Sequence, residues 1–233
     1  MYRRLDGTRI VETLDHLQRR IEQRFPGSGL SQVSGELGVA ARESINRAAQ
    51  LTRPYGLLRV ASGLLIALMV LLGAVVLIDL KRSADLTALM QSQAIQNFVF
   101  LGAAVVFLAT VETRLKRRRA LKALHELRSI AHVVDMHQLA KAPDEFLPGE
   151  EETEVTPGRH MSRAALARYL DYCTDLLSLT SKVAALYVEH LQDPVVLGAV
   201  NDVENLTTGL SRKIWQKITI LETLGRVAEP KSS

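Results

Sequence analysis

The densest group of side chains able to ligate a metal ion lies in the middle of the chain. His132, Asp135 and His137 follow one another as H-x-x-D-x-H, and His125 precedes them by one heptad. On a helix His132 and Asp135 share a face, whereas His137 points elsewhere. Helical zinc motifs place two ligands at i and i+4 and take a third from another segment. The spacing therefore favours an ordinary hydrogen-bonded or exposed cluster, and no metal site is predicted.

Acid–base and nucleophilic chemistry have equally incomplete sets of residues. Asp171 and Asp175 stand at i and i+4, but Arg168 and Lys182 are near enough in sequence to pair with them at the surface. Cys173, the single cysteine, has no histidine partner on its own helix and is expected to pack in a helical bundle. The chain has no glycine-rich phosphate loop, G-x-S-x-G elbow or H-E-x-x-H motif. We predict no catalytic residue and no cofactor, and expect that the protein is not an enzyme.

The apolar residues that dominate the chain lie in two uncharged stretches. Val60 to Ile78 is nineteen residues without a charge or a proline. As a helix it would be about 28 Å long, close to the ~30 Å hydrocarbon thickness of a bilayer. After a short turn region at 79–85, a second uncharged stretch runs from Leu86 to Val111. These stretches predict two membrane-spanning helices, at about 58–80 and 93–113, within a transmembrane hairpin at 54–113.

The charges that flank the hairpin indicate its orientation. Residues 1–59 carry ten basic and six acidic residues, and residues 112–142 carry eight basic and three acidic ones, whereas residues 79–85 balance at two of each sign. Lys and Arg are enriched on the cytoplasmic side of membrane spans. We therefore expect an inner (plasma) membrane protein with two spans and both termini in the cytoplasm.

A cluster of basic residues follows the second span directly. This position favours contact with anionic lipid head groups of the bilayer. The net charge of +4 is thus attributed to the membrane flanks, and no nucleic-acid partner is predicted. The basic cluster consists of Arg114, Lys116, Arg117, Arg118, Arg119 and Lys122.

Small and polar residues inside the spans suggest a pore or oligomer face. Gly63 and Ala67 form a small-xxx-small pair, and Gly102 offers the same close approach in the second span. These residues fit either a homo-oligomer or contact between the two helices of one hairpin. At the outer end of the second span, polar side chains share one face, and they fit either a bundle interior or the outer membrane interface. They are Gln93, Gln96 and Asn97.

The remaining segments predict cytosolic helices. Residues 1–53 contain an amphipathic helix at 5–25 and a weaker one at about 30–51, separated by the breaker at 26–29. The first helix either lies on the membrane surface or packs against the other helices, and its interleaved charges favour packing. Residues 114–142 continue the second span as a basic helix, and the acidic, Pro- and Gly-rich segment 143–160 is a predicted linker.

The C-terminal part, 161–226, predicts a helical hairpin followed by a loose tail at 227–233. Asp193 as N-cap and Pro194 at the first helical position mark the start of its second helix. A heptad-like seam along that helix is six-eighths apolar, which predicts lengthwise packing against other helices. The eight seam positions are Val196, Val200, Val203, Thr207, Leu210, Ile214, Lys217 and Leu221.

Together these patterns predict an all-α membrane protein in which N- and C-terminal helices form a cytosolic bundle beside a two-helix transmembrane hairpin. Trp215, with Arg212, Lys213 and Lys217 around it, either anchors an unidentified protein partner on the cytosolic side or lies at the rim of the bundle. The favoured function is a self-associating scaffold or adaptor that anchors an interaction bundle at the membrane. The alternative is a membrane-perturbing effector or small oligomeric pore gated by that bundle.

Overall fold

The computed structural model describes residues 5–52, 56–83, 93–139, 141 and 161–228. For residues 52, 57–59, 76, 77, 79–83, 93–98, 109 and 225–228 it describes the backbone alone. All regular structure in these ranges is α-helical, which confirms the predicted all-α class. The helices are α1 Gly7–Arg24, α2 Gly29–Thr52, α3 Gly56–Ser83, α4 Gln93–Leu139, α5 Arg163–His190 and α6 Pro194–Ala228.

The chain divides into two compact units. Residues 1–50 and 120–233 form one, which we call the bundle unit, and residues 51–119 form the other, the insert unit. The bundle unit is therefore discontinuous in sequence and contains α1, most of α2, the last part of α4, α5 and α6. The predicted acidic linker at 143–160 lies outside the described residues.

Helix α1 packs into the bundle unit through its apolar stripe. Asp6 caps the helix by accepting a hydrogen bond from the Thr8 backbone N–H at 2.9 Å. Four residues spaced four, three and four apart are buried, and α1 packs on α5. Of the two alternatives for this amphipathic helix, membrane surface or packing against other helices, the structure shows packing. The buried stripe is Ile10, Leu14, Leu17 and Ile21.

The connection from α1 to α2 is a tight turn. Gly27 has a φ of +66°, a conformation that L side chains rarely adopt. The two helices then bond to each other through Ser31 to Glu22 and Arg42 to Asp15. Farther along α2, Arg47 donates to Glu126 of α4 at 2.8 Å, and this hydrogen bond raises the pKa of the guanidinium. Polar contacts thus attach α2 to both α1 and α4.

Helices α5 and α6 pack lengthwise and supply much of the core. The predicted start of α6 is confirmed, because Asp193 Oδ1 accepts from the N–H groups of Val195 at 2.9 Å and Val196 at 3.2 Å. Seven of the eight seam positions are buried. The exception is Lys217, and the neighbouring Ile218 is buried in its place. The helix continues to Ala228, a little beyond the predicted end.

The insert unit contains α3 and the first part of α4. Helix α3 continues to Ser83, so residues 79–83, predicted as loop, are helical; they contain neither Gly nor Pro to end the helix. Helix α4 is 47 residues long and continues without a break past residue 113, as predicted. Taken over the described residues alone, none of the helices combines the length and apolar character that crossing a bilayer requires.

The buried Tyr187 hydroxyl supports a prediction about stability. The residue has no exposed surface, and its hydroxyl lies near Ser44 and Arg47 but makes no hydrogen bond of ordinary geometry within the described residues. Because an unsatisfied buried hydroxyl carries a desolvation cost, Tyr187→Phe should leave the free energy of unfolding unchanged or raise it by up to about 1 kcal/mol. Urea unfolding followed by circular dichroism measures this. A loss of more than about 1 kcal/mol would show that the hydroxyl bonds a neighbour such as Ser44.

Candidate functional site

A basic cleft lies between α1 and α5 in the bundle unit. It has a volume of about 430 Å³. Of the described residues, five line it, namely three arginines, a glutamine and a tyrosine, and none of these five is acidic. Arg20 and Arg24 stand at i and i+4 on α1, while Arg168 comes from α5. We call the set Arg20, Gln23, Arg24, Arg168 and Tyr172 the arginine cleft.

Aromatic side chains support one of these arginines. The Arg20 guanidinium lies over the Tyr172 ring, 5.4 Å from its centroid. Phe25 contacts Tyr172 edge-on at 6.2 Å between ring centroids and contacts Tyr169 in the same way at 5.3 Å. Both tyrosines are buried. A cation held over an aromatic face gains electrostatic attraction, so the guanidinium of Arg20 is partly oriented before any ligand arrives.

Two carboxylates stand next to the arginine cleft on α5. Arg168 pairs with Asp171 at 3.2 Å, a surface contact of the kind that the sequence predicted. Asp175 is partly buried, and its pKa is raised, first by burial and then by the charge of Asp171. Arg20, Lys182 and Arg168 act in the opposite direction, each favouring the ionised form. Asp175 is thus ionised at a cost in the folded state.

Replacing this carboxyl should change how stability depends on pH. Because the folded-state pKa of Asp175 is raised, the folded state favours its protonated form, and stability is lost as pH rises from the ordinary value of 3.8 through the folded value. Asp175→Asn should therefore be more stable than the parent chain at neutral pH, and the difference should shrink in acid. Chemical unfolding across a pH series measures it. Glu189→Gln, at an exposed site on α5, is the control, and an equal gain there would contradict the assignment.

The sequence alone does not identify the arginine cleft. It shows the i, i+4 spacing of Arg20 and Arg24, and both lie off the apolar stripe of α1. Arg168 is distant in sequence, and only the packing of α1 on α5 brings it to the same cleft. The one available signal was a pair of like charges on one helix side, which repel each other unless a counter-charge lies between them.

The histidine and aspartate cluster does not converge in the structure. Asp135 accepts a hydrogen bond from Gln138 Nε2 at 2.6 Å, and His132 is exposed. The ring of His137 lies against the backbone of Gly29, where an added Cβ would clash with His137 Cε1. Among the residues that the structure describes, no group of three or more His, Cys, Asp or Glu side chains is placed to hold a metal ion.

Cys173 is fully buried in the bundle unit, in the place predicted for it. Burial raises the pKa of its thiol to about 12, and the positive charge of Lys217 lowers it by a smaller amount. A thiol of that pKa is almost entirely protonated at neutral pH and is a poor nucleophile. Cys173 is therefore a packing residue.

The basic cluster lies on α4 at the end of the insert unit and the start of the bundle unit. Arg114, Arg118 and Arg119 are exposed, as is Lys122. Lys116 instead pairs with Glu112 at 2.8 Å, and only 13% of its side chain is exposed. Part of the cluster thus has partners within the chain, and the exposed arginines carry its outward positive charge.

The pore or oligomer face is described in part. Gln93, Gln96 and Asn97 belong to α4, but their side chains lie outside the described residues. Gly63 and Ala67 are exposed on α3. A Cβ added at Gly63 or at Gly102 would meet nothing within 4 Å. The described contacts within the chain therefore do not require glycine at either position.

Of the four residues predicted to form a partner surface on α6, three are exposed and the fourth makes contacts within the chain. Trp215 is 58% exposed, and Arg212 and Lys213 are exposed as well. Lys217 faces the other way, since its Nζ donates to the backbone oxygens of Gln138 at 2.9 Å and Lys141 at 3.2 Å. A cation at these carbonyls stabilises the negative end of α4. Lys217 therefore connects α6 to the C-terminal end of α4 through these hydrogen bonds.

Comparison with known proteins adds no relative to these observations. No protein-family model, curated protein or solved structure matches the chain.

Proposed function

We propose that this chain is a non-enzymatic integral membrane protein that anchors a helical interaction bundle at the inner membrane. In this proposal α3 and the first part of α4 span the bilayer, and both termini are cytoplasmic. The observation that carries it is the exposure of large apolar side chains along these two helices. Among the residues whose side chains the structure describes, nine on α3 and four on the first part of α4 have between 37% and 72% of their surface exposed.

On α3 these exposed residues surround the helix. Val70, Leu71 and Leu72 are consecutive, with 66%, 62% and 37% of their surfaces exposed, and successive residues on a helix are about 100° apart. A helix that is apolar all round is stable either inside a large protein or in lipid. The uncharged run Val60–Ile78, which includes two residues described by backbone alone, has the length for the second case.

The role as a scaffold or adaptor rests on the surface of the bundle unit. Trp215 presents a large exposed aromatic ring beside Arg212 and Lys213, and aromatic residues and arginine are enriched at protein interfaces. We propose that a cytosolic protein partner binds there. The open space at Gly63 and Gly102 supports the further proposal that the spans self-associate, since glycine permits close helix approach.

Cell-free synthesis of the full chain with liposomes tests membrane insertion. Liposomes of phosphatidylcholine and phosphatidylglycerol provide a bilayer with anionic head groups. The chain should float with the liposomes and remain with them after washing in alkaline carbonate, which removes proteins held only by surface charge. Recovery in the carbonate wash would contradict the proposal.

A dye enclosed in the same liposomes separates the scaffold from the pore. A scaffold should leave the dye inside, whereas an oligomeric pore should release it. Release that is lost in the double variant Gln93→Leu and Asn97→Leu would replace the scaffold by the pore. Crosslinking in the liposomes measures self-association, and a strictly monomeric result would remove that part of the proposal.

A further inference from the structure

The arginine cleft is positively charged, and the proposed scaffold role does not involve this charge. Its three arginines come from two helices, and the other two described residues that line it carry no charge. Within the described residues neither Arg20 nor Arg24 forms an ion pair, whereas Arg168 pairs with Asp171. Among the described residues, the three arginines of the cleft therefore outnumber the two neighbouring carboxylates, Asp171 and Asp175. Concentrated charge of this kind favours an anionic ligand.

The side chains of the cleft indicate which anionic group the ligand would carry. A guanidinium presents a planar fork of N–H donors that matches two oxygens of a phosphate group. Arg20 is partly oriented by the Tyr172 ring at 5.4 Å, so less of its freedom remains to be lost on binding. Gln23 adds a neutral side chain that can both donate and accept hydrogen bonds.

The cleft is large enough to admit more than a lone ion. Its volume of about 430 Å³ falls within the range of roughly 300–1,000 Å³ that is typical of small-molecule sites. A phosphate group held by the arginines would leave room for an attached organic part. We propose that the arginine cleft binds a ligand through a phosphate group.

The neighbouring carboxylates compete with such a ligand for the arginines. Asp171 already accepts from Arg168, and Asp175 interacts electrostatically with Arg20 and Arg168. A bound phosphate group would draw Arg168 away from an exposed ion pair, which is a small loss because surface ion pairs contribute little. Arg24 has no such competing pair among the described residues, so its removal gives the clearest test.

Isothermal titration of the full chain tests the proposal with two probes. Pyrophosphate represents a free phosphate compound, and phosphatidic acid in phosphatidylcholine nanodiscs represents a lipid head group. Each titration is run at constant ionic strength with chloride as the competing anion. Saturable binding of pyrophosphate would identify a soluble source, and binding of phosphatidic acid alone would identify a lipid source. Binding of neither probe at millimolar concentration would overturn the proposal.

Matched variants show whether the arginine cleft is the site of binding. Arg24→Gln and Arg168→Gln should each weaken binding by roughly tenfold or more, because each removes charge-assisted hydrogen bonds. Arg19→Gln makes the same charge change on α1 outside the cleft, and it should change the affinity by less than about twofold. Equal weakening in Arg19→Gln would show general attraction of anions and overturn the assignment. Circular dichroism checks that each variant is folded.

The pyrophosphate titration does not depend on the membrane proposal. It can be carried out in detergent solution or in plain buffer, whichever keeps the chain monodisperse. A chain that fails to insert into liposomes but binds pyrophosphate would contradict the membrane anchor and support the phosphate site. Insertion into liposomes together with binding of neither probe would support the anchor and remove the site.

Discussion

Leu177→Ala is expected to lower the free energy of unfolding of the bundle unit by about 2–5 kcal/mol. Leu177 lies in the middle of α5 with no exposed surface, and α5 packs against both α1 and α6. Its truncation removes apolar contacts and leaves a cavity that helices anchored on both sides can close only in part. Urea unfolding followed by circular dichroism, with the full chain in nanodiscs, measures the loss.

Two further measurements make this result specific to the core. Leu197→Ala removes the same atoms from a side chain that is 46% exposed on α6, and it should cost well under 1 kcal/mol. Cys173 reports on the same region, because its buried thiol should react slowly with a maleimide in the parent chain and faster when Leu177→Ala lets the bundle open. An equal effect of both leucine substitutions would contradict this account of the core.

The double variant Leu68→Arg and Leu71→Arg is expected to abolish insertion of the chain into liposomes. Both side chains are exposed on α3, by 47% and 62%. In a bilayer they would face lipid, where each arginine at the centre of a span costs about 2.5–3.5 kcal/mol on the scale derived from insertion experiments. The two costs together exceed what the remaining apolar residues of one span can easily offset. Flotation followed by the carbonate wash measures the loss.

The matched control places the same two charges on the bundle unit. Val39 and Met136 are 56% and 68% exposed there, so Val39→Arg with Met136→Arg should leave both folding and insertion unchanged. Full retention of the α3 double variant in the carbonate-washed liposomes would show that these side chains do not face lipid. Equal release of the control variant would attribute the effect to net charge.

The helices could be predicted closely because their signals are local. The apolar stripe of α1, the break at Gly27 and the cap at Asp193 each depend on a few neighbouring residues, and each is found in the structure. The division of the chain into two units could not be predicted from such local signals. The bundle unit joins residues 1–50 to residues 120–233, and hydropathy cannot show which helices of a discontinuous unit become neighbours.

The arginine cleft and Lys217 show why sites are harder to predict than helices. Lys217 fits the heptad-like seam, but its ammonium group bonds the end of α4 while Ile218 is buried beside it. A small rotation of α6 decides that outcome, and it depends on the shape of the partner helices. Arg168 reaches Arg20 and Arg24 only through the packing of α1 on α5. Both sites depend on contacts between residues distant in sequence.

Labelling of introduced cysteines in intact cells tests the membrane-anchored bundle most directly. Ser83 is the last residue of α3, and Thr208 lies at an exposed site on α6. Each is replaced by cysteine in a separate variant. The parent chain is the background control, since Cys173 is buried. We predict that a membrane-impermeant maleimide labels Ser83→Cys in intact cells and labels Thr208→Cys only after the membrane is permeabilised. Labelling of Thr208→Cys in intact cells, or protection of both sites until permeabilisation, would contradict it.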